Sequence, residues 1–250
     1  MKLDHLSASR IKTFYQCPLK YWAIYEKGMT ETPHPLTNMG SAEHKMVELA
    51  TKARMAGVRR ARWHDPLVFR DAAMRKFKVE AQYASLMDEL TGNAIKWGYF
   101  RNLARTVGCE VKFAFLLEDG TEVTGFIDRL DLMPPGADII DIKTQKSQFS
   151  AEELKDNWQA KIYNIAVRKL YPDVTGKVSV SFWVLRHMVQ KTWLGPHDAV
   201  ANCSRLVEVA REIRSCTEPK GRPSGLCPYC PYKDCPVSKQ GLKARLSRWR

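Results

Sequence analysis

Two acidic residues and a lysine lie in two neighbouring segments that both read as β-strands, and together these residue types could cut a phosphodiester bond. Asp128 is in the first segment, and Asp141 and Lys143 are in the second. Side chains alternate between the faces of a strand, so Asp141 and Lys143 point the same way while the flanking isoleucines point into a core. If Asp128 lies beside them, two carboxylates can hold Mg²⁺ or Mn²⁺ through oxygen. The lysine then remains free to meet a phosphate or to orient a water.

Cysteine spacing near the C-terminus gives a second chemical signal. Cys227, Cys230 and Cys235 fall within nine residues, which seldom arises for packing, and C-x-x-C is a common metal-ligand pair. The spacing alone fits zinc as well as an iron–sulfur cluster, because both accept thiolates. The lone cysteines, interpreted as buried and unpaired thiols, are Cys109, Cys203 and Cys216.

These motifs together resemble the PD-(D/E)xK nuclease superfamily and, within it, the RecB-like branch. Residue 128 followed by residues 141–143 (D-I-K) is similar to the (D/E)xK signature, and residues 125–131 (G-F-I-D-R-L-D) are similar to the G-x-x-D-R-x-D strand. Residues 40–44 (G-S-A-E-H) resemble the G-x-x-x-H element, and residues 159–163 (Q-A-K-I-Y) resemble the Q-x-x-x-Y element. One early cysteine and three late ones resemble the iron–sulfur arrangement of exonucleases associated with CRISPR adaptation.

The resemblance implies three sets of site residues. The catalytic residues are Asp128, Asp141, Lys143, Gln159 and Tyr163. The ligands of a Mg²⁺ or Mn²⁺ ion are His44, Asp128, Asp141 and the backbone carbonyl of Ile142. The ligands of a [4Fe–4S] cluster, with zinc as the alternative occupant, are Cys17, Cys227, Cys230 and Cys235.

The supporting residues have roles that the sequence leaves open. Gln159 and Tyr163 lie four residues apart, on one face of a predicted helix, and are expected either to contact DNA or to support the lysine. Glu110 opens the first core strand. It either contributes to the metal site, as an acidic residue near this point can in relatives, or pairs with a surface base.

The apolar pattern predicts the elements that must position these side chains. Ser7 is predicted to cap a short helix that stops near Cys17, residues 30–38 to form a loop, and Gly40 to precede a helix through about residue 51. Residues 66–107 read as helical with a break at 91–93. Strands are predicted at 110–117, 121–133, 139–144, 178–185 and 191–194, with the first three forming one antiparallel ribbon, and helices at 151–170 and 197–216.

The resemblance implies a mixed α/β fold with the restriction-endonuclease-like αβββαβ core. It implies a single RecB-like nuclease domain over residues 1–250, with a helical insertion at residues 52–107. Residue 17 and residues 227–235 are expected to form the C-terminal iron–sulfur module, which would hold the two ends of the chain together.

Composition favours a nucleic-acid partner and argues against a membrane. The chain has 250 residues and a net charge of +13, and basic residues attract polyphosphate. Basic residues concentrate at 52–78 and 239–250, and the predicted base-stacking faces are Trp63, Tyr83, Trp97 and Tyr99. No apolar run approaches the ~18 residues of a membrane span, and the N-terminus lacks the apolar core of a signal peptide. A reducing cytoplasm is therefore the expected location.

The favoured function is a metal-dependent DNA exonuclease that acts on single strands or duplex ends. Repair, recombination, phage replication or CRISPR adaptation would be its setting, with a helicase or another recombination or adaptation protein as a partner. The alternatives are a non-catalytic DNA-binding or helicase-partner subunit, a structure-selective endonuclease and a basic zinc protein without nuclease activity. Paired carboxylates favour catalysis, because carboxylates repel phosphate unless a cation lies between them.

Overall fold

The computed structural model of the chain describes residues 1–30, 35–57 and 66–237. Within these residues the helices are α1 (Ala8–Gln16), α2 (Pro18–Tyr25), α3 (Pro35–Met55), α4 (Arg70–Phe77), α5 (Ala84–Lys96), α6 (Ala151–Lys155), α7 (Trp158–Leu170) and α8 (Pro196–Ser215). The strands are β1 (Thr106–Leu116), β2 (Glu122–Met133), β3 (Gly136–Lys143), β4 (Val178–Val184) and β5 (Met188–Leu194). Short 3₁₀ turns cover Pro66–Phe69, Ala81–Tyr83, Leu103–Arg105 and Cys227–Tyr229.

Part of the predicted DNA-contacting surface lies outside the described residues. This applies to the basic residues at 59, 60 and 62, to Trp63, and to the basic run at 239–250. Residues 31–34 of the predicted loop are also outside the described ranges.

The five strands form one sheet in the order β1-β2-β3-β4-β5. β2 and β3 are antiparallel, with Arg129 opposite Ile140, whereas β3 and β4 are parallel and β4 and β5 antiparallel. β4 is buried along its whole length, as a nearly continuous apolar run predicts. The mixed α/β class and the restriction-endonuclease-like order of helix, three strands, helix and strand are confirmed.

The chain divides into two compact units. The first consists of Met1–His34, Phe115–Thr124 and Cys203–Arg250, and the second of Pro35–Ala114 and Gly125–Asn202. In the second unit, Ile140 and Ile142 of β3 join a buried cluster with side chains from α3, α5 and β4, as the alternation of the strand predicts. Burial of those isoleucines turns Asp141 and Lys143 to the other face of β3.

The beginning of the chain follows its sequence signals closely. The hydroxyl of Ser7 accepts a hydrogen bond of 3.3 Å from the backbone N–H of Arg10, so Ser7 caps α1 as predicted. Cys17 is extended, and Pro18 occupies the first turn of α2, where its missing N–H costs nothing. Cys17 therefore lies at the end of α1, as expected, and directly before α2, which was not predicted.

The helix that carries His44 begins earlier than predicted. α3 starts at Pro35, which is a favourable first helical residue, and Gly40 lies inside it. A Cβ atom on Gly40 would come within 2.9 Å of the Thr144 hydroxyl just after β3. The glycine is therefore a point of close approach between helix and strand rather than a helix start.

Helix boundaries also differ from the prediction in two further regions. α5 runs through residues 91–93, and the interruption falls at Lys78, which has a left-handed φ of 52°. The predicted helix at 151–170 is two helices, because the Asn157 side chain caps α7 by accepting a hydrogen bond from the backbone N–H of Ala160. Among the described helices, none is both long and apolar enough to cross a membrane.

Candidate active site

Three ligand atoms from three separate elements converge in the second unit. They belong to His44 of α3, Glu110 of β1 and Asp128 of β2, and all lie within 4.8 Å of one another. His44 Nδ1 is 3.2 Å from Asp128 Oδ2. One imidazole nitrogen and two carboxylates form a donor set that suits Mn²⁺, Mg²⁺ or another divalent cation. The residues present therefore fit a metal ion of the kind that the sequence predicts.

The backbone of β3 holds Asp128 in place. Its Oδ2 accepts a hydrogen bond of 2.8 Å from the N–H of Ile142. Burial would raise the pKa of Asp128, but the charges of His44 and Lys143 and this hydrogen bond outweigh burial and lower it. Asp128 is therefore a carboxylate with a fixed orientation. The predicted role of the Ile142 carbonyl as a metal ligand stays a prediction.

The charge on His44 responds to the same carboxylate. Burial alone would lower its pKa, yet the attraction and hydrogen bond of Asp128 raise the pKa of His44 to about 9. In the metal-free protein, the protonated imidazole of His44 therefore supplies the positive charge beside Asp128 that a metal ion would otherwise supply. A metal ion has to displace that proton before His44 can bind it.

Glu110 reaches the site through an unusual backbone. Its φ is +53°, in the left-handed region that non-glycine residues seldom adopt. The in-and-out alternation of β1 changes phase between Thr106 and Cys109, just before this residue. Burial, and then the charges of Asp128 and Glu48, raise the pKa of Glu110. Of its two predicted roles, the geometry supports a contribution to the site, because Glu110 lies with Asp128 rather than with a surface base.

Asp141 anchors a second cluster, formed by β3 and α7. Lys143 Nζ is 2.6 Å from Asp141 Oδ2, and it also donates to Gln159 Oε1 at 2.9 Å. Gln159 Nε2 donates to Asp141 Oδ1 at 2.8 Å and to the Tyr163 hydroxyl at 2.7 Å. All the polar atoms of the Gln159 side chain are thus used to hold its neighbours, which fits the predicted support of the lysine.

Tyr163 belongs to this cluster from a buried position. It is 3% exposed, its hydroxyl lies 3.0 Å from Asp141 Oδ1 and 2.8 Å from the Phe126 carbonyl, and its ring packs edge-on against Phe113. The Tyr163 side chain is therefore buried away from solvent and in contact with Asp141. Burial also raises the pKa of Asp141, even though Lys143 opposes the change. Asp141 is outside the group of three ligand atoms, and its role as a ligand stays a prediction.

An open cavity of about 880 Å³ gives access to the site. His44, Glu110, Asp128, Ile142 and Lys143 line it. Its other charged residues, which the sequence motifs did not single out, are Lys45, Glu48, Lys76, Lys146 and Arg186. Glu48 was detectable as the residue one helical turn after His44, whereas the four cations come together only through the fold.

The neighbours of Asp128 in the G-x-x-D-R-x-D motif have a structural role. Arg129 donates to both carboxylate oxygens of Asp131, at 2.8 and 2.6 Å, and to the backbone carbonyls of Tyr99 and Arg101. Both members of this ion pair are buried. The proposed stacking role of Tyr99 is wrong, because Tyr99 is 2% exposed and belongs to the core. Trp97 and Tyr83 also pack against that core and are only partly exposed.

In the first unit, the four predicted cluster ligands line one cavity. They are Cys17, Cys227, Cys230 and Cys235. The backbone N–H of Arg222 donates to Cys17 Sγ, and that of Ser224 donates to Cys227 Sγ, both at 3.3 Å. Burial raises the pKa of Cys230. Four thiols with N–H donors around one cavity fit a thiolate-bound metal or cluster.

The sulfur atoms of the four cysteines lie farther from one another than the ligand atoms of His44, Glu110 and Asp128 do. Among the described residues, the groups of three ligand atoms within 4.8 Å of one another do not include these cysteines. A single zinc ion with Zn–S bonds of about 2.3 Å would draw its sulfurs to about 3.8 Å apart. The remaining cysteines differ from one another, since Cys109 is buried as predicted but Cys203 and Cys216 are only partly buried.

Comparisons with known proteins identify a matching protein family and solved structures with a similar fold. Residues 5–235 match the family model described as the PD-(D/E)XK nuclease superfamily. A solved structure from Eubacterium rectale, described as "Putative exonuclease", aligns with a TM-score of 0.51 and 13% identity over 87% of this chain and 84% of that chain. A structure named SSO0001 aligns with a TM-score of 0.48 and 12% identity over 95% and 88%. No curated protein matches the chain. At 13% identity, the first likeness speaks for the fold alone.

Proposed function

Because this chain belongs to the PD-(D/E)XK nuclease superfamily, we propose that it is a metal-dependent deoxyribonuclease that acts as an exonuclease on single strands or duplex ends. The observation that carries the proposal is the convergence of His44, Glu110 and Asp128 beside the Asp141–Lys143 pair. A protein that only binds DNA has no use for carboxylates that face a polyanion, since they repel phosphate.

His44, Glu110 and Asp128 would hold the Mg²⁺ or Mn²⁺ ion, and Asp141 is expected to contribute as a fourth ligand. When bound, the ion would polarise the scissile phosphate and lower the pKa of a coordinated water. Lys143, held by Asp141 and Gln159, is positioned to stabilise the negative charge that develops on the phosphate oxygens. Tyr163 keeps Asp141 in its orientation.

We also propose that the cysteine cavity holds a [4Fe–4S] cluster with a structural role. Among the described residues, no three of these sulfur atoms lie within 4.8 Å of one another, which supports a cluster over a single zinc ion, because a cubane holds its ligand sulfurs farther apart than one ion does. Cys17 comes from the N-terminal part of the chain and the other three cysteines from its C-terminal part, so the cluster would close a very long loop. The cytoplasmic location and a helicase or adaptation partner stay predictions from the sequence.

The experiment that tests the activity compares linear and circular DNA. Purified protein is incubated with Mn²⁺, Mg²⁺ or EDTA and with end-labelled linear single strands, end-labelled duplexes or circular single strands. The proposal predicts that linear DNA is degraded only with a metal ion and that circles stay intact. Cut circles would identify an endonuclease, and intact DNA in every reaction would refute nuclease activity.

Two substitutions control for contaminating nucleases in that experiment. Lys143→Met removes the amine beside Asp141 and should abolish degradation. Lys155→Met changes an exposed lysine of α6 that does not line the cavity, and should leave degradation as in the wild type. Equal degradation by the Lys143 variant and the wild type would mean that another protein or another site cuts the DNA.

A further inference from the structure

Apart from His44, which pairs with Asp128, the basic residues that line the active-site cavity fall into two groups. Lys45 Nζ is 2.8 Å from Glu48 Oε2, and Lys143 Nζ is 2.6 Å from Asp141 Oδ2, so an acid already neutralises each of these lysines. The second group consists of Lys76, Lys146 and Arg186. Among the described residues, no carboxylate lies within ion-pair distance of these three, although carboxylates line the same cavity.

The fold holds two of these three cations side by side. Lys146 and Arg186 follow the carboxyl ends of β3 and β4, which are neighbouring parallel strands. Arg186 Nε donates to the Thr144 carbonyl at 3.0 Å, and the Lys146 carbonyl is hydrogen-bonded to the His187 ring. The two loops are thereby tied together. Ligands commonly bind outside the carboxyl ends of parallel strands, which is where these side chains lie.

The third cation, Lys76, lies next to the aromatic ring of Phe77. Lys76 is in the last turn of α4, and Phe77, the last residue of that helix, lines the same cavity. Lys76 Nζ lies 5.5 Å from the centre of the Phe77 ring. Phe77 is partly buried and packs against the core of the second unit, and its remaining exposed surface lines the cavity. A charged groove with an aromatic face is the chemistry that recognises single-stranded nucleic acid.

We propose that Lys76, Lys146 and Arg186 form a second phosphate site, which binds the backbone of a single DNA strand next to the bond that is cut. The inference rests on the proposed function, because it assigns the strand whose scissile phosphate lies at Lys143. A cavity of about 880 Å³ has the size of a small-molecule pocket and takes a few nucleotides of one strand. A single strand can bring both its phosphates and an unpaired base to these residues, whereas the bases of a duplex are already paired and stacked.

Binding in EDTA tests this site without any cleavage. The probe is a fluorescein-labelled 12-mer of thymidine, titrated with wild-type protein and with the triple variant K76A/K146A/R186A, and read by fluorescence anisotropy. A second triple variant, K96A/K155A/K169A, removes the same charge from exposed positions of the same unit outside the cavity. The cavity variant should bind at least 10-fold more weakly than the charge-matched control.

The salt dependence of binding gives an independent readout. For single strands, log K falls with log salt by about 0.7 for each phosphate contact. The cavity variant should therefore show a slope shallower by about 0.7 to 2, whereas the charge-matched control keeps the wild-type slope. A 12-base-pair hairpin should bind the wild type at least 10-fold more weakly than the single strand.

The outcomes separate this inference from the proposed function. Equal affinity and equal salt slope for the two triple variants would overturn the second phosphate site, even if the wild type degrades DNA. Equal affinity of the wild type for hairpin and single strand would overturn the assignment to single strands. Weaker binding by the cavity variant, together with a wild type that cuts no DNA, would support the binding site and refute the nuclease.

Discussion

Replacing Glu110 by glycine or by alanine separates the two properties that make this residue unusual. Both substitutions delete a carboxylate from the predicted metal site, but only glycine tolerates the backbone φ of +53°. Wild type, Glu110→Gly and Glu110→Ala would be melted with EDTA and with Mn²⁺, and followed by circular dichroism. Glu118→Ala, at an exposed acidic residue in the turn after β1, is the matched control.

The expected difference between the two variants follows from the backbone. A non-glycine residue in the left-handed region costs about 1–2 kcal/mol, and the extra freedom of glycine in the unfolded chain costs about 0.4–1 kcal/mol. In EDTA, Glu110→Gly should therefore be more stable than Glu110→Ala by roughly 0.8 kcal/mol. For a chain of 250 residues this corresponds to a melting temperature about 2–3 °C higher.

The stabilisation by Mn²⁺ should be larger than this difference, and both Glu110 variants should lack it equally. At a Mn²⁺ concentration 100 times its Kd, binding stabilises the folded wild type by about 2.7 kcal/mol, or roughly 5–10 °C. Both Glu110 variants should lose most of this gain, whereas Glu118→Ala keeps it. If Mn²⁺ raised the melting temperatures of both Glu110 variants as much as that of the wild type, Glu110 would not be a ligand and the reasoning would fail.

Three further predictions concern the rest of the chain. In the metal-free protein, stability should fall as the pH rises from about 4.5 to 9, because the folded state keeps protons on Glu43 (pKa about 8) and His44 (pKa about 9) that the unfolded state has released. Urea unfolding of Glu43→Gln should show a flatter fall below pH 8, and an unchanged slope would contradict it. Arg129→Met should lower the free energy of unfolding by about 3–5 kcal/mol, because a buried carboxylate loses its partner, and a loss below 1 kcal/mol would count against this. Cys230→Ser should lose iron and visible absorbance while Cys203→Ser keeps both, and equal iron content in the two variants would refute the cluster assignment.

Much of the second unit was predictable because its signals are local. The alternation of a strand was enough to place Asp141 and Lys143 on one face and the two isoleucines in the core. In the first unit, Ser7 and Pro18 indicated the start and the end of α1, because capping and proline chemistry act within a few residues, whereas α2 was not predicted. Asn157 carries the same kind of signal for the start of α7, although the apolar pattern alone predicts one continuous helix there.

Other features depend on contacts between residues far apart in the sequence. The burial of Tyr99 and its carbonyl contact with Arg129 arise only when the fold is complete. Gly40 lies inside a helix because that helix packs so closely against the end of β3 that a larger side chain would meet Thr144. The role of Glu110 could not be settled from the sequence, since it depends on a left-handed backbone conformation at a residue that is not glycine.

The most direct test of the central claim is a crystal of the wild-type protein soaked in Mn²⁺ and measured for anomalous scattering. We expect an anomalous peak bound by a nitrogen of His44 and by carboxylate oxygens of Glu110 and Asp128, at roughly 2–2.3 Å. A peak held by other residues, or no peak at this site in crystals of protein that degrades DNA with Mn²⁺, would contradict the account.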